Sequence, residues 1–177
     1  TRSSNPTRQV LEENLAAIDS GKYAVSFASG MSAVDSCFKL LSTGDHIVCG
    51  DDVYGGVTRL LDNVTANQGI DVSYVDTTNA DAVRNVITPK TRMLWIETPT
   101  NPLLKVSDLE EMVKIAKENE ILLGVDATFA TPVFLRPLEY GADIVMHSTT
   151  KYLAGHNQII GGVIVTNHQH VYEKMKY

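Results

Sequence analysis

Cysteine, tryptophan, proline and long apolar runs are all scarce in this sequence, and each scarcity closes off a class of explanation. Its 177 residues include two cysteines, one tryptophan and six prolines. Cys37 and Cys49 sit inside apolar segments, so they are expected as buried free thiols and not as a disulfide framework. No stretch approaches the roughly 20 apolar residues of a membrane helix, and the opening TRSSNPTR has no apolar secretory run. Charge is not concentrated either: 15 basic and 21 acidic residues give a net charge of -6, spread without a basic tract or an acidic tail. Nucleic acid and anionic membrane are therefore not the expected partners, and a cytoplasmic setting is the expectation. His147 and His156 have no cysteine or acid at ligand spacing, so structural roles are expected for them and no metal site. The chain starts without Met, in mid-motif, and stops soon after a helical pattern begins in HVYEKMKY. It is expected to be a piece of a longer protein.

What is present is a regular alternation. The runs YAVSF (23–27), HIVC (46–49), DVSYV (71–75), MLWIE (93–97), LLGVD (122–126), IVMHS (144–148) and GVIVT (162–166) are short, apolar and bounded by Gly, Asp or Thr. Runs of that kind predict strands buried on both faces. The segments between them carry helical spacing. Over 107–119, Leu109, Met112, Val113 and Ala116 fall at i, i+3, i+4 and i+7. Ser107 followed by Glu110 predicts a capping box at the start of that helix. Met31, Val34, Phe38 and Leu41 repeat the pattern after Gly30. Strands alternating with helices predict an α/β domain with a mostly parallel sheet. With no internal repeat or linker, residues 1–177 read as one domain.

In an open α/β sheet, ligands bind outside the carboxyl ends of the strands. There the sequence places Ala28-Ser29-Gly30-Met31, then Tyr54 within DDVYGG, and Glu97 to Asn101 within ETPTN. Asp126-Ala127-Thr128 and Ser148-Thr149-Thr150-Lys151 follow the later strands. Taken singly, each has an ordinary alternative: a loop-to-helix entry, a half-buried aromatic, an acid bonded to local backbone, a helix cap at Asp126, a solvated lysine. The G-x-G-x-x-G fingerprint of nicotinamide-binding folds is missing, which disfavours a generic nucleotide-binding domain. Together, a helix N-terminus for an anion, hydroxyls, an aromatic plate, an acid and an amine are the parts that hold pyridoxal phosphate.

The segments SSNPTR (3–8), FASGMSA (27–33), DDVYGG (51–56), IETPTNP (96–102), VDATFATP (125–132) and HSTTKYLAGH (147–156) resemble the Cys/Met-metabolism family of fold-type I pyridoxal-phosphate enzymes. The resemblance runs the length of the chain, in order. It implies the large cofactor-binding domain of the aspartate aminotransferase-like fold: a three-layer αβα sandwich around a seven-stranded sheet, truncated at both ends, with a small C-terminal domain outside it. It implies that Lys151 binds the cofactor aldehyde and shuttles the substrate Cα proton, and that Asp126 pairs with the pyridinium nitrogen. Tyr54 is implied to stack on the ring and to assist proton transfer. Ser29, Gly30, Met31, Ser148 and Thr150 are implied around the phosphate, with Thr128 and Asn101 near the ring and Glu97 as a supporting acid. Arg2 is implied to reach the phosphate of a neighbouring subunit, in a homo-oligomer expected to be a tetramer built as a dimer of dimers. The expected reaction is cleavage of the carbon–sulfur bond of cystathionine by γ-elimination, in transsulfuration. The alternatives are γ-replacement or β-elimination in the same family, or a catalytically incomplete cofactor-binding fragment. Two segments depart from the family pattern: Ala127 stands where Asn is usual, and Asn157-Gln158 where Ser-Asp or Asn-Asp is usual.

Overall fold

The computed structural model describes residues 5–176, so Arg2 and its expected subunit-crossing role lie outside the described residues. Seven strands form one sheet in the order β1-β7-β6-β5-β4-β2-β3. They are β1 (Tyr23–Phe27), β2 (His46–Gly50), β3 (Asp71–Val75), β4 (Thr91–Glu97), β5 (Leu122–Asp126), β6 (Ile144–His147) and β7 (Gly162–Thr166). β2 to β6 pair in parallel, while β7 runs antiparallel to both β6 and β1. The helices are α1 (Pro6–Ile18), α2 (Gly30–Phe38), α3 (Gly55–Leu60), α4 (Ala80–Val86), α5 (Leu109–Glu118), α6 (Thr131–Phe134), α7 (Pro137–Tyr140) and α8 (Gln169–Lys176). None of the described helices is long and apolar enough to cross a membrane.

Because successive strand side chains point to opposite faces, the apolar runs feed two cores. On one face Leu94, Ile96, Leu123, Val125 and Val145 pack with Leu15 of α1, Val83 of α4 and Met112 and Ile115 of α5. On the other, Ile47, Cys49, Met93, Trp95 and Met146 pack with Val34, Cys37 and Phe38 of α2 and Val171 of α8. Helices on both faces of a central sheet make the expected three-layer sandwich. Cys37 and Cys49 are buried free thiols, as expected.

Three local expectations are corrected. β3 is not buried on both faces: it is an edge strand, with β1 at the other edge, and Asp71 and Tyr74 are exposed. The cap of α5 is Asp108, whose side chain accepts the Glu111 N–H at 3.1 Å; Ser107 instead shares a 2.7 Å hydrogen bond with Thr77. A carboxylate one residue later outcompetes the hydroxyl for the first-turn donors. Leu41 lies beyond the end of α2, although it still packs against the core.

β7 crowds the carboxyl end of β1. A Cβ placed on Gly162 would sit 2.3 Å from the carbonyl oxygen of Ser29, so only glycine lets the strand pass the entry to α2. One buried pair ties this end to α1. The His147 Nε2–H donates to Asp19 Oδ2 at 2.8 Å, with both side chains 1% exposed. The remaining oxygen of Asp19 and Nδ1 of His147 are buried without a hydrogen-bond partner.

Candidate active site

The carboxyl ends of β1, β2, β4, β5 and β6 open onto a cavity of about 250 Å³. Its lining includes Ser29, Gly30, Met31, Tyr54, Glu97, Asn101, Asp126, Thr128, Ser148, Thr150 and Lys151. These are the described residues that the resemblance implies around the cofactor, brought to one place; Ala28, Thr98, Pro99, Thr100, Ala127 and Thr149, from the same strand ends, do not line it. The sequence reasoning did not select Val34, Val57, Met146 and Ile160, which supply apolar wall. Helix and strand periodicity places Val34 and Met146 only in the core, and nothing in the sequence marks Val57 or Ile160.

One side of the cavity is the start of α2. Ser29 caps it: its hydroxyl oxygen accepts the Ser32 N–H at 3.1 Å, while the Ser32 hydroxyl oxygen accepts the Ser29 N–H at 2.9 Å. The Ser29 side chain is thus committed to the helix, which leaves the amides at the helix start as anion donors. A Cβ on Gly30 would come within 2.9 Å of the Ser148 Cβ. The helix start and the end of β6 are close enough that a side chain would close the gap between them. Thr128 joins the neighbouring strand ends, its hydroxyl oxygen accepting the Ser148 N–H at 2.8 Å. The Thr150 hydroxyl is engaged with the backbone of Gly161, donating to its carbonyl at 3.2 Å and accepting its N–H at 3.0 Å. Lys151 follows in an exposed turn, its N–H bonded to the Ser148 carbonyl at 3.1 Å.

The cavity floor carries two acids side by side. Glu97 and Asp126 are register partners at the ends of β4 and β5, 6% and 5% exposed. Asp126 Oδ1 accepts the Thr128 N–H at 2.9 Å, so the carboxyl is oriented by its own turn. Asp126 is the last residue of β5 and caps no helix. Ala127, where the family usually has Asn, is fully buried in the core beside it. Glu97 Oε2 accepts the backbone N–H of Tyr54 at 2.6 Å. Burial pushes the Glu97 carboxyl up to about 8, helped by the charges of Asp126 and Asp52 and opposed by the Tyr54 N–H. Burial also raises Asp126, against the Thr128 hydrogen bonds and the nearby His147. Tyr54 lines the cavity and stands 47% exposed, so part of its ring is open to a ligand.

The loop bearing Asn101 is fixed from below. Asp52 accepts hydrogen bonds from the Thr100 hydroxyl and, at 3.1 Å, from the Leu103 N–H. The Lys105 ammonium bridges Asp51 at 3.1 Å and Asp76 at 3.4 Å. Among the described residues no group of three His, Cys, Asp or Glu could hold a metal.

These residues fit pyridoxal phosphate. Two buried carboxyls facing one cavity are relieved by a positively charged ring nitrogen. The glycine-lined helix start accommodates a phosphate, and the exposed Lys151 offers an amine.

The comparisons agree with that fit. The family model for Cys/Met metabolism PLP-dependent enzymes matches residues 1–177. A probable cystathionine gamma-synthase of Herpetosiphon aurantiacus is 46% identical over 177 residues, covering 100% of this chain and 56% of its own length. A cystathionine beta-lyase of Coxiella burnetii is 50% identical, with 46% of its length covered. The crystal structure of a cystathionine gamma-lyase from Lactobacillus plantarum complexed with L-serine superposes with a TM-score of 0.98 at 44% identity, covering 99% of this chain and 46% of that one. The chain thus spans about half the length of the relatives it matches.

Proposed function

This chain belongs to the Cys/Met metabolism PLP-dependent enzymes, and on that premise we propose that it is the cofactor-holding part of a carbon–sulfur lyase that cleaves cystathionine by γ-elimination. The observation that carries this reading is the convergence of Lys151, the buried Asp126 and the Gly30 helix start on one cavity. γ-Replacement, as in a cystathionine γ-synthase, and β-elimination are the near alternatives, because relatives with all three kinds of name stand at similar identity.

Pyridoxal phosphate, when bound, supplies an aldehyde for amines and a ring that accepts electrons from the substrate Cα. Asp126 would hold the ring nitrogen protonated, its buried carboxyl gaining a cation beside it. The amides of Gly30 and Met31 and the hydroxyls of Ser148 and Thr150 would hold the phosphate. For Thr150 this means sharing its hydroxyl with Gly161. Lys151 would bind the aldehyde, give way to the substrate amine, and then take the Cα proton at Nζ. Tyr54 would cover the ring face, with Thr128 and Asn101 at its edges. Arg2 keeps its proposed role at the phosphate of a neighbouring subunit.

A homo-oligomer, expected as a tetramer, accords with the apolar groove formed by Phe129, Pro132, Val133, Phe134 and Tyr152. Val133 is 80% and Phe134 86% exposed there, apolar surface that a second copy would bury. Free buried thiols accord with a reducing, cytoplasmic setting.

The experiment is borohydride reduction of the yellow full-length protein followed by peptide mapping. A reduced pyridoxyl group on the Lys151 peptide is expected, and its absence after incubation with pyridoxal phosphate overturns the reading. Cystathionine cleavage measured against O-acylhomoserine plus cysteine then separates γ-elimination from γ-replacement.

A further inference from the structure

We propose that Glu97 is a positioning residue that works as a neutral carboxyl: it holds Tyr54 over the cavity and leaves the negative charge at the strand ends to Asp126. The proposal rests on the functional reading above for the identity of the bound ring, but its geometry stands independently. Glu97 and Asp126 are opposite one another in the β4–β5 register, nearly fully buried. Two carboxylates so placed repel, and in low dielectric one of the two is expected to keep a proton. Burial raises Asp126 as well, but its Oδ1 is fixed by the Thr128 N–H and it lies in the field of His147, and both favour its charged form.

Glu97 has different surroundings. From the loop after β2 come the Tyr54 N–H at 2.6 Å and the charge of Asp52, which disfavours ionisation. From β2 comes the thiol of Cys49, raised chiefly by its burial, and from β5 comes Asp126. Lys151 lines the same cavity from the turn after β6. A protonated carboxyl still accepts the Tyr54 amide through its carbonyl oxygen, so losing the charge does not release the loop. Tyr54 precedes Gly55 and Gly56 at the start of α3, and this hydrogen bond joins that glycine-flanked residue to the rigid sheet, 43 residues away. A ring nitrogen paired with one carboxylate is neutralised once; a second carboxylate would leave an uncompensated buried charge.

Glutamine is isosteric with protonated glutamate, and methionine keeps the volume but has no strong acceptor. The full-length apoproteins of wild type, Glu97→Gln and Glu97→Met are titrated with pyridoxal phosphate, following the visible absorption band and its circular dichroism. Thermal melting of each apoprotein reports folding. Glu97→Gln is expected to bind within about 3-fold of wild type with an unshifted band, and Glu97→Met about 10-fold more weakly. Ten-fold weaker binding by Glu97→Gln overturns the proposal, because it shows that the charge is needed. Wild-type affinity in Glu97→Met overturns it as well, because then nothing is being positioned. If Glu97→Met does not fold, the glutamine variant decides alone. Failure of the wild type to bind pyridoxal phosphate overturns the functional reading itself, a result separate from either of these.

Discussion

Two buried aspartates stand near the carboxyl end of the sheet, and they are treated in opposite ways. Asp19, at the end of α1, meets the His147 imidazole at 2.8 Å, and neither side chain reaches solvent. Asp126, at the end of β5, meets a backbone amide on one side and has a second acid, Glu97, as its strand partner. The first pair is completed by the protein itself and joins a helix to a strand. The second is an accumulation of acid that the described side chains do not neutralise, aimed into a cavity. Burial alone does not mark a functional acid; a buried acid facing a cavity, with another acid for a neighbour, is the stronger sign.

That contrast can be broken at several points. Lys151→Ala is expected to lower kcat/KM for cystathionine by ~10³-fold or more, since it removes both the aldehyde-binding amine and the proton carrier; steady-state kinetics would show it, and retained turnover would sink the assignment. Asp126→Asn should cost about 10²-fold in turnover while leaving the apoprotein at least as stable, measured by kinetics beside a urea melt. His147→Leu should show the reverse pattern. Leaving Asp19 buried without its partner should cost about 3 kcal/mol in urea unfolding, with a smaller effect on cofactor affinity than Asp126→Asn produces.

The smallest effect concerns pH. Glu97, raised to about 8, and Asp126, also raised, bind protons more readily folded than unfolded. Their contribution to apoprotein stability is therefore greatest below the ordinary carboxylate range and is lost as pH rises from about 4 towards 8. The slope for Glu97 alone should not exceed ~1.4 kcal/mol per pH unit. Glu97→Gln should flatten it in urea melts taken across that range, and saturating pyridoxal phosphate should do the same for wild type.

Much of the fold was legible because β2, β4, β5, β6 and β7 have apolar, buried middles, a pattern set by burial between two helical layers. The polar ends of those runs made the cavity legible as well. Contacts across large sequence separations were less accessible. Nothing near His147 points to Asp19, 128 residues earlier, and nothing near Glu97 points to the Tyr54 amide. The edge position of β3 was hidden because its apolar run resembles an interior strand, and edge status depends on sheet order. The cap of α5 was misplaced by one residue because Ser107 and Asp108 both suit the position; the Asp108 carboxylate takes the first-turn donor while Ser107 is engaged with Thr77.

The antiparallel strand β7 also bears on the order in which this molecule can be made. Among the described residues β1 pairs in the sheet only with β7, so a strand made early in this segment waits for one made much later. Until residues 162–166 have emerged, the segment Ser29–Met31 hangs from an unpaired strand and cannot be held against Ser148–Lys151. The cofactor cradle thus closes with one of the last elements of this segment, a long-range pairing of the kind that slows folding and leaves strand edges open in the meantime. A nascent chain halted short of Gly162 would carry nearly every residue of the site and still lack the site.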